Sequence, residues 1–362
     1  MKILHIGQLI GGLDIYIRNS IIYSQEHFEY IIVHGKGDKN KPITKNGITI
    51  KEYSIDLFRS LNPWKDLKCL IQVIKIIHKE KPNIIHCHSA KGGFIGRISG
   101  FITNTKTYYT PHAFSFLSTP NIIKKNIYLF LEKIAKLDSY LLACSDSELA
   151  LGLQLVKYKD DKALVWSNSV PKSDNIQQTT KISKPYICYI VRPSYQKNTL
   201  YLIEVIKEVH KIKPNIIFVL LGVGYHSPDL EKTLKKIKEY QLEDVVIIKP
   251  WLNHAETMGY VKNSVIYLSV ARYEGLPLSI IEAMSLGKTI IASNVVGNKD
   301  CVINGYNGFL LPHDAKLYAE KISILMDNKN LRNTFENNSI KYFEEKFDLI
   351  KRIKILENIY RK

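Results

Sequence analysis

Apolar β-branched runs alternate with longer amphipathic stretches along most of the chain. In the first half, the runs at 2–6 (KILHI), 30–35 (YIIVHG), 83–88 (NIIHCH), 106–110 (KTYYT) and 139–144 (SYLLAC) predict strands. Helical spacing between them predicts helices near 64–80, 92–102, 121–136 and 146–156. The pattern then restarts at 186–191 (YICYIV), 215–222 (NIIFVLLG), 244–249 (DVVIIK), 265–270 (VIYLSV), 289–293 (TIIAS) and 308–311 (GFLL). Continuous apolar strands separated by helices predict parallel sheets covered on both faces. The polar stretch PKSDNIQQTTKISKP at 171–185 is bracketed by prolines and reads as a linker. The expected division is a domain at 1–172, a linker at 173–185, a second domain at 186–340, and a helical segment at 341–362 that crosses back to the first domain.

Two doubly wound domains facing across a cleft would bind ligands outside the carboxyl ends of their strands. Candidate chemistry therefore lies in loops that follow strands, and EGLPLSIIEAMSLGK at 274–288 follows VIYLSV. Pro277 is expected as the first helical residue, with Gly275 allowing close approach and Leu278, Ile281 and Met284 forming an inward stripe. The amides of residues 278–280 would point out of the helix start, where the dipole favours an anion such as a diphosphate. Glu274 precedes this end and Glu282 lies roughly 7 Å along the helix at 1.5 Å per residue. Such carboxylates can accept hydrogen bonds from the ribose and hexose hydroxyls of a nucleotide sugar. On spacing alone, which is common, the two acids read as a solvated helix residue and a charge that favours the dipole.

The surrounding residues decide between these readings. SVARYEGLPLSIIEAMSLGKTIIASNVVGNKDCVINGYNGFLL at 269–311 resembles the signature of the retaining glycosyltransferases of family 4, which have the two-domain GT-B fold. IGQLIGGLD (6–14), IIHCHSAKGGFIGR (84–97), YYTPHAF (108–114) and YIVRPSYQKN (189–198) are similar to further loops of that family. The resemblance implies that Glu274 contacts the transferred sugar, Glu282 the ribose, Arg192 and Lys197 the diphosphate, and His112 the sugar near the reacting carbon. It extends the donor site to Gly12, Gly222, Gly275, Leu276, Pro277 and Leu278, and the acceptor site to Gly11, His88 and Lys91; Trp251 in KPWL reads either as a wall of the donor's base pocket or as an aromatic packed on its own domain. Departures are Val191 where the family usually has Gly, Ala113 after the histidine, Val223-Gly224-Tyr225 after Gly222, and Cys301 beside Asp300. The implied activity is transfer of a hexosyl or N-acetylhexosaminyl group from a UDP-sugar, or less often a GDP-sugar, to a glycan or polyprenyl-linked saccharide. Alternatives are a nucleotide-sugar 2-epimerase of the same architecture and a basic protein that binds nucleic acid or a membrane surface.

The formal charge of +17 calls for an acidic partner but does not choose it. No nucleic-acid module is visible, and the glycines near residues 7–12 and 222–224 do not have dinucleotide-binding spacing. The sequence has no Asp-x-Asp pair, and two cations with a helix end can neutralise a diphosphate, so no metal and no cofactor are expected. HCH at 86–88 places two imidazoles on one strand face with no third ligand at metal spacing. Five scattered cysteines fit buried thiols in a reducing compartment. Met1-Lys2 runs straight into a strand, and no apolar stretch approaches the ~18–20 residues of a spanning helix, so a cytoplasmic protein is expected. The basic amphipathic segment 114–136 reads either as an interfacial helix on the inner face of the cell membrane or as a core face.

Overall fold

The first sheet is built from β1 (Lys2–Ile6), β2 (Glu29–Gly35), β5 (Lys51–Ile55), β6 (Ile84–His88), β7 (Lys106–Thr110), β8 (Tyr140–Ala143) and β9 (Ala163–Val165); β3 (Thr44–Lys45) and β4 (Ile48–Thr49) form a small antiparallel hairpin. All of its pairings are parallel, in the order β5-β2-β1-β6-β7-β8-β9. The second sheet contains β10 (Tyr186–Ile190), β11 (Ile217–Leu221), β12 (Val246–Lys249), β13 (Ile266–Ser269), β14 (Thr289–Ser293) and β15 (Gly308–Leu311), also all parallel, in the order β12-β11-β10-β13-β14-β15. Both orders reverse beside their first strand, as in doubly wound nucleotide-binding sheets. This computed structural model describes residues 1–36, 41–57, 62–173, 176, 182–224 and 227–362. Most of the expected linker at 173–185, and Tyr225, lie outside the described residues.

The apolar runs form the strands because both faces are covered. Leu4, Ile6, Ile31, Val33, Ile85 and Cys87 are buried in the first core, and Ile187, Val219, Leu268 and Ile291 in the second. The helix Ser89–Ile102 lies close on the first sheet, where a Cβ at Gly93 would sit 2.1 Å from the Tyr109 ring. All five cysteines are buried thiols.

The chain divides into one unit of Met1–Val170 with Leu349–Lys362 and another of Pro171–Asp348. The expected boundary at 340 is corrected to 348. The helix Lys329–Lys346 runs through it without a breaker and buries Phe335, Ser339 and Phe343 in the second unit. The final helix, Leu349–Arg361, packs in the first unit. Its Glu357 Oε1 accepts hydrogen bonds from Ser24 Oγ at 3.0 Å and the Gln25 amide at 2.6 Å, and Tyr108 Oη donates to the Ile359 carbonyl at 2.8 Å.

The helix Ile122–Ala135 packs on the first core through part-buried Tyr128 and Leu129 but leaves a second apolar side uncovered. Only Glu132 and Ala135 are buried, while Ile122, Ile123, Ile127, Phe130 and Ile134 are exposed. A buried ion pair anchors it: Arg97 Nη2 lies 2.8 Å from Glu132 Oε2, with the guanidinium 3.9 Å from the Tyr109 ring centre. No helix among the described residues is long and apolar enough to cross a membrane.

Candidate active-site residues in each unit

In the second unit, the residues expected to bind a donor follow the carboxyl ends of successive strands. Arg192 and Lys197 follow β10, Gly222 follows β11, Trp251 follows β12, and residues 274–278 follow β13. The sheet order brings the loops after β10 and β13 side by side. There Lys197 Nζ lies 2.6 Å from Glu274 Oε1, and Gln196 Nε2 donates to Glu274 Oε2 at 3.1 Å. Glu274 is only 6% exposed. Its amide donates to the Val296 carbonyl at 3.0 Å. Gly297 presses on it from the loop after β14: at φ 84° a Cβ there would lie 2.8 Å from the Glu274 backbone. Asp300 Oδ2 accepts from the Gly297 amide at 3.2 Å and so braces that contact.

The helix start differs from expectation by one residue. Pro277 is extended and occupies the cap, and Leu278–Ser285 is the helix. The Ile280 and Ile281 amides donate to the Pro277 carbonyl at 3.1 and 3.2 Å, so the expected row of amides at 278–280 shortens to Leu278 and Ser279. Gly275, Leu276, Pro277 and Leu278 are buried. Glu282 is also buried, and its Oε1 lies 2.8 Å from His254 Nε2. That contact raises the pKa of His254 above its usual value, against an opposing effect of burial. Trp251 is 64% exposed, so it is not packed against the unit.

In the first unit, four imidazoles gather at the carboxyl ends of β1, β6 and β7. His5 Nδ1 lies 3.0 Å from His88 Nε2, and His88 Nδ1 lies 3.2 Å from His112 Nε2. Beside them, Thr110 Oγ1 donates to the Leu142 carbonyl at 2.7 Å and must therefore accept from His86 Nε2 at 2.9 Å. His86 Nδ1 then accepts from Tyr360 Oη at 2.6 Å. Burial lowers the pKa of His5 and His112 to about 3, and those of His86 and His88 well below the usual value, so the cluster is neutral.

The third imidazole that the HCH spacing lacked comes from the neighbouring strand: one ligand atom each of His5, His86 and His88 lies within 4.8 Å of the others. Both nitrogens of His86 and of His88 are nevertheless committed to hydrogen bonds.

His112 and Ala113 are both left-handed, at φ 52° and 83°. Buried Glu148 secures this turn by accepting from the Ala113 amide at 2.7 Å and the Cys144 amide at 2.8 Å. Tyr16 packs edge-on against His112 with ring centres 4.8 Å apart.

Two residues expected at the acceptor site have partners of their own. His88 is fully buried behind His112 and presents no nitrogen outward. Lys91 is held by both carboxylate oxygens of Asp66 at 2.7 Å. Gly11, at φ 60°, precedes the helix Gly12–Ile22 in the loop after β1.

Sequence reasoning did not find His5, Glu148, Gln196, His254 or Gly297 as site residues. His5 lies on a strand, Gln196 and Gly297 in loops, and Glu148 and His254 on helices, and only the fold brings each to its partner.

The family model "Glycosyl transferases group 1" matches residues 172–342, and "Glycosyltransferase Family 4" matches residues 10–174. The UDP-Gal:alpha-D-GlcNAc-diphosphoundecaprenol alpha-1,3-galactosyltransferase of Escherichia coli is 28% identical over 320 residues, covering 84% of this chain and 81% of that protein. The capsular polysaccharide biosynthesis glycosyltransferase CapM of Staphylococcus aureus is 28% identical over 331 residues, covering 84% and 85%. Among solved structures, sucrose-phosphate synthase from Thermosynechococcus elongatus aligns with a TM-score of 0.86 at 18% identity, over 100% of this chain and 98% of that one. Anabaena HepE in complex with UDP and glucose aligns over the whole of both chains with a TM-score of 0.80 at 16% identity. These two likenesses establish the fold.

Proposed function

Because the chain belongs to the family 4 glycosyltransferases, we propose that it moves a hexosyl or N-acetylhexosaminyl group from a UDP-sugar, with retention, onto a lipid-linked saccharide in surface polysaccharide synthesis. The observation that carries this reading is buried Glu274, held by Lys197 and Gln196 where the loops after β10 and β13 meet. The carboxylate can exchange these partners for sugar hydroxyls, while Lys197 and Arg192 take up the charge that grows on the departing diphosphate. Glu282 would accept from the ribose, and Trp251 is accessible to a base. Donation by UDP rather than GDP is supported by the UDP-Gal named for the E. coli relative and by the UDP complex of HepE. The undecaprenol-linked substrate named for the same relative supports the acceptor class.

Glu274 serves hydroxyls in this scheme and is not the nucleophile. The acceptor oxygen bonds to the anomeric carbon on the face from which the diphosphate leaves, and the leaving phosphate oxygen takes the acceptor's proton. The cations act without a metal. The test is incubation with labelled UDP-sugars and a polyprenyl-diphosphate N-acetylglucosamine, with and without chelator, followed by assignment of the anomer by NMR. An inverted product, or a trapped glycosyl ester on Glu274, would refute this mechanism.

The acceptor reading also calls for a membrane surface. A face of the helix Ile122–Ala135 has the chemistry to lie on one, with exposed Ile122, Ile123, Ile127 and Phe130 interleaved with Lys124, Lys125 and Lys133. The protein is expected to float with anionic liposomes at low salt, and Ile123→Glu with Phe130→Glu to abolish flotation.

A further inference from the structure

We propose that His5 and His88 are positioning residues that fix His112 as the tautomer protonated on Nδ1, so that it presents a donor rather than an acceptor on its outer side. The argument is a count of protons along the chain His5–His88–His112. Each neutral imidazole carries one, and each of the two links needs one. If His88 is protonated on Nε2, it donates to His5 Nδ1. His5 must then carry its own proton on Nε2, a buried atom with no hydrogen-bond partner among the described residues. If His88 is protonated on Nδ1, it donates to His112 Nε2 and accepts from His5 Nδ1, and the atom left without a partner is a bare lone pair. A buried N–H without an acceptor is the rarer and costlier orphan. The second arrangement is therefore preferred, and it leaves the His112 proton on Nδ1.

The rest of the cluster holds this choice in place. His86 cannot supply a proton to the chain, because its own is spent on Thr110 and its lone pair on Tyr360. The turn at His112 and Ala113 is clamped by Glu148, which keeps Nε2 turned inward to His88. The low pKa of His112, about 3, keeps the ring neutral, so its outer nitrogen does not change role between pH 5 and 8. A fixed Nδ1–H can donate to a sugar hydroxyl oxygen or to a developing alkoxide. This use rests on the proposed transferase reading; the tautomer itself does not.

The experiment is long-range 1H–15N correlation of 15N-histidine-labelled full-length protein. It is carried out on the wild type, His88→Leu, and His88→Asn, whose amide N–H can replace the His88 Nδ1 donor. Wild type is expected to show His112 with a protonated Nδ1 and a bare Nε2. In His88→Leu the two forms should mix, and His88→Asn should restore the first. In parallel, kcat should fall about tenfold in His88→Leu, the effect of one lost hydrogen bond, with KM for donor changed less than about twofold, and recover in His88→Asn.

A His112 protonated on Nε2 in wild type overturns the proposal, as does an unchanged tautomer in His88→Leu. If His88→Leu does not fold, the wild-type spectrum and His5→Leu decide the same question. A tautomer shift with unchanged kcat leaves the relay standing and removes His112 from the transfer reaction.

Discussion

The Lys197 ammonium lies 2.6 Å from Glu274 Oε1, which joins a cation assigned to the diphosphate to the carboxylate assigned to the sugar. In the proposed donor site, Lys197 therefore sets the charge of both halves. Lys197→Ala is expected to lower kcat by about 10²–10³-fold, because the leaving-group charge loses a preorganised cation. It also leaves a nearly buried carboxylate with Gln196 alone, which should cost about 1–3 kcal/mol of stability. Glu274→Gln keeps the shape and one acceptor for Lys197 but turns an NH2 group toward the Gln196 donor, so it should lose turnover with a smaller shift in unfolding midpoint than Lys197→Ala. Steady-state kinetics alongside urea unfolding separates the two effects, and equal loss of stability in both variants would contradict the assignment.

Gly297→Ala tests the same carboxylate from the opposite side. The added methyl would lie 2.8 Å from Glu274 main-chain atoms, at a backbone angle that disfavours any side chain. About 1–3 kcal/mol of destabilisation is expected, together with weaker donor binding as Glu274 is displaced. Calorimetry with a UDP-sugar checks the second part.

The buried pair of Arg97 and Glu132 is expected to behave differently. Glu132 also accepts from Tyr109 Oη and Ser115 Oγ at 3.1 Å, so the carboxylate ties the exposed helix Ile122–Ala135 to the sheet. Arg97→Met alone should cost about 3–5 kcal/mol by leaving that charge unpaired, whereas Arg97→Met with Glu132→Leu should recover much of the loss. A double-mutant cycle by urea unfolding measures the coupling.

Much of this was legible in the sequence, for physical reasons. Strands buried on both faces read as apolar runs, and so β1, β2, β6, β7, β8 and the four central strands of the second sheet are legible; its edge strands β12 and β15 are partly exposed but still carry apolar runs. The missed strands are the two-residue strands β3 and β4 of the hairpin and the two edges of the first sheet. In KEYSI of β5 only Ile55 is buried, and β9 has three half-buried residues, so neither carries such a run. Glu274, Lys197 and Glu282 could be picked out as candidates because each belongs to a local motif in a segment that follows a strand. His5 and Gly297 could not, since their importance comes from neighbours 83 and 23 positions away. The amphipathic pattern of 121–136 left its two readings open because periodicity shows a stripe but not what covers it.

The histidine cluster predicts acid sensitivity of the first unit. The folded pKa values of His5 and His112 are near 3, below an unfolded value near 6.5, so the folded form binds fewer protons. The stability linked to them is complete above about pH 6.5 and is lost as pH falls toward 3. Each such group adds up to about 1.4 kcal/mol per pH unit in that window. Trp166, fully buried after β9, reports this unit by its emission. Urea midpoints from pH 7 to 4.5 should fall steeply, and His5→Leu should reduce the slope by about one proton.

His254 carries the opposite sign. Its hydrogen bond with Glu282 raises its folded pKa, so the stabilisation is complete below the unfolded value near 6.5 and disappears as pH rises through the higher folded value. The difference in melting temperature between wild type and His254→Asn should therefore be larger at pH 6 than at pH 8.5. The same titration bears on the donor. A protonated His254 competes with ribose hydroxyls for Glu282 Oε1, 2.8 Å away, and the diphosphate diester of a UDP-sugar does not itself titrate between these pH values. Binding of a UDP-sugar by wild type should tighten from pH 6 to pH 8.5, and this dependence should vanish in His254→Asn. Isothermal titration calorimetry on both proteins decides it: equal affinities at the two pH values in wild type would mean that Glu282 does not hold the ribose.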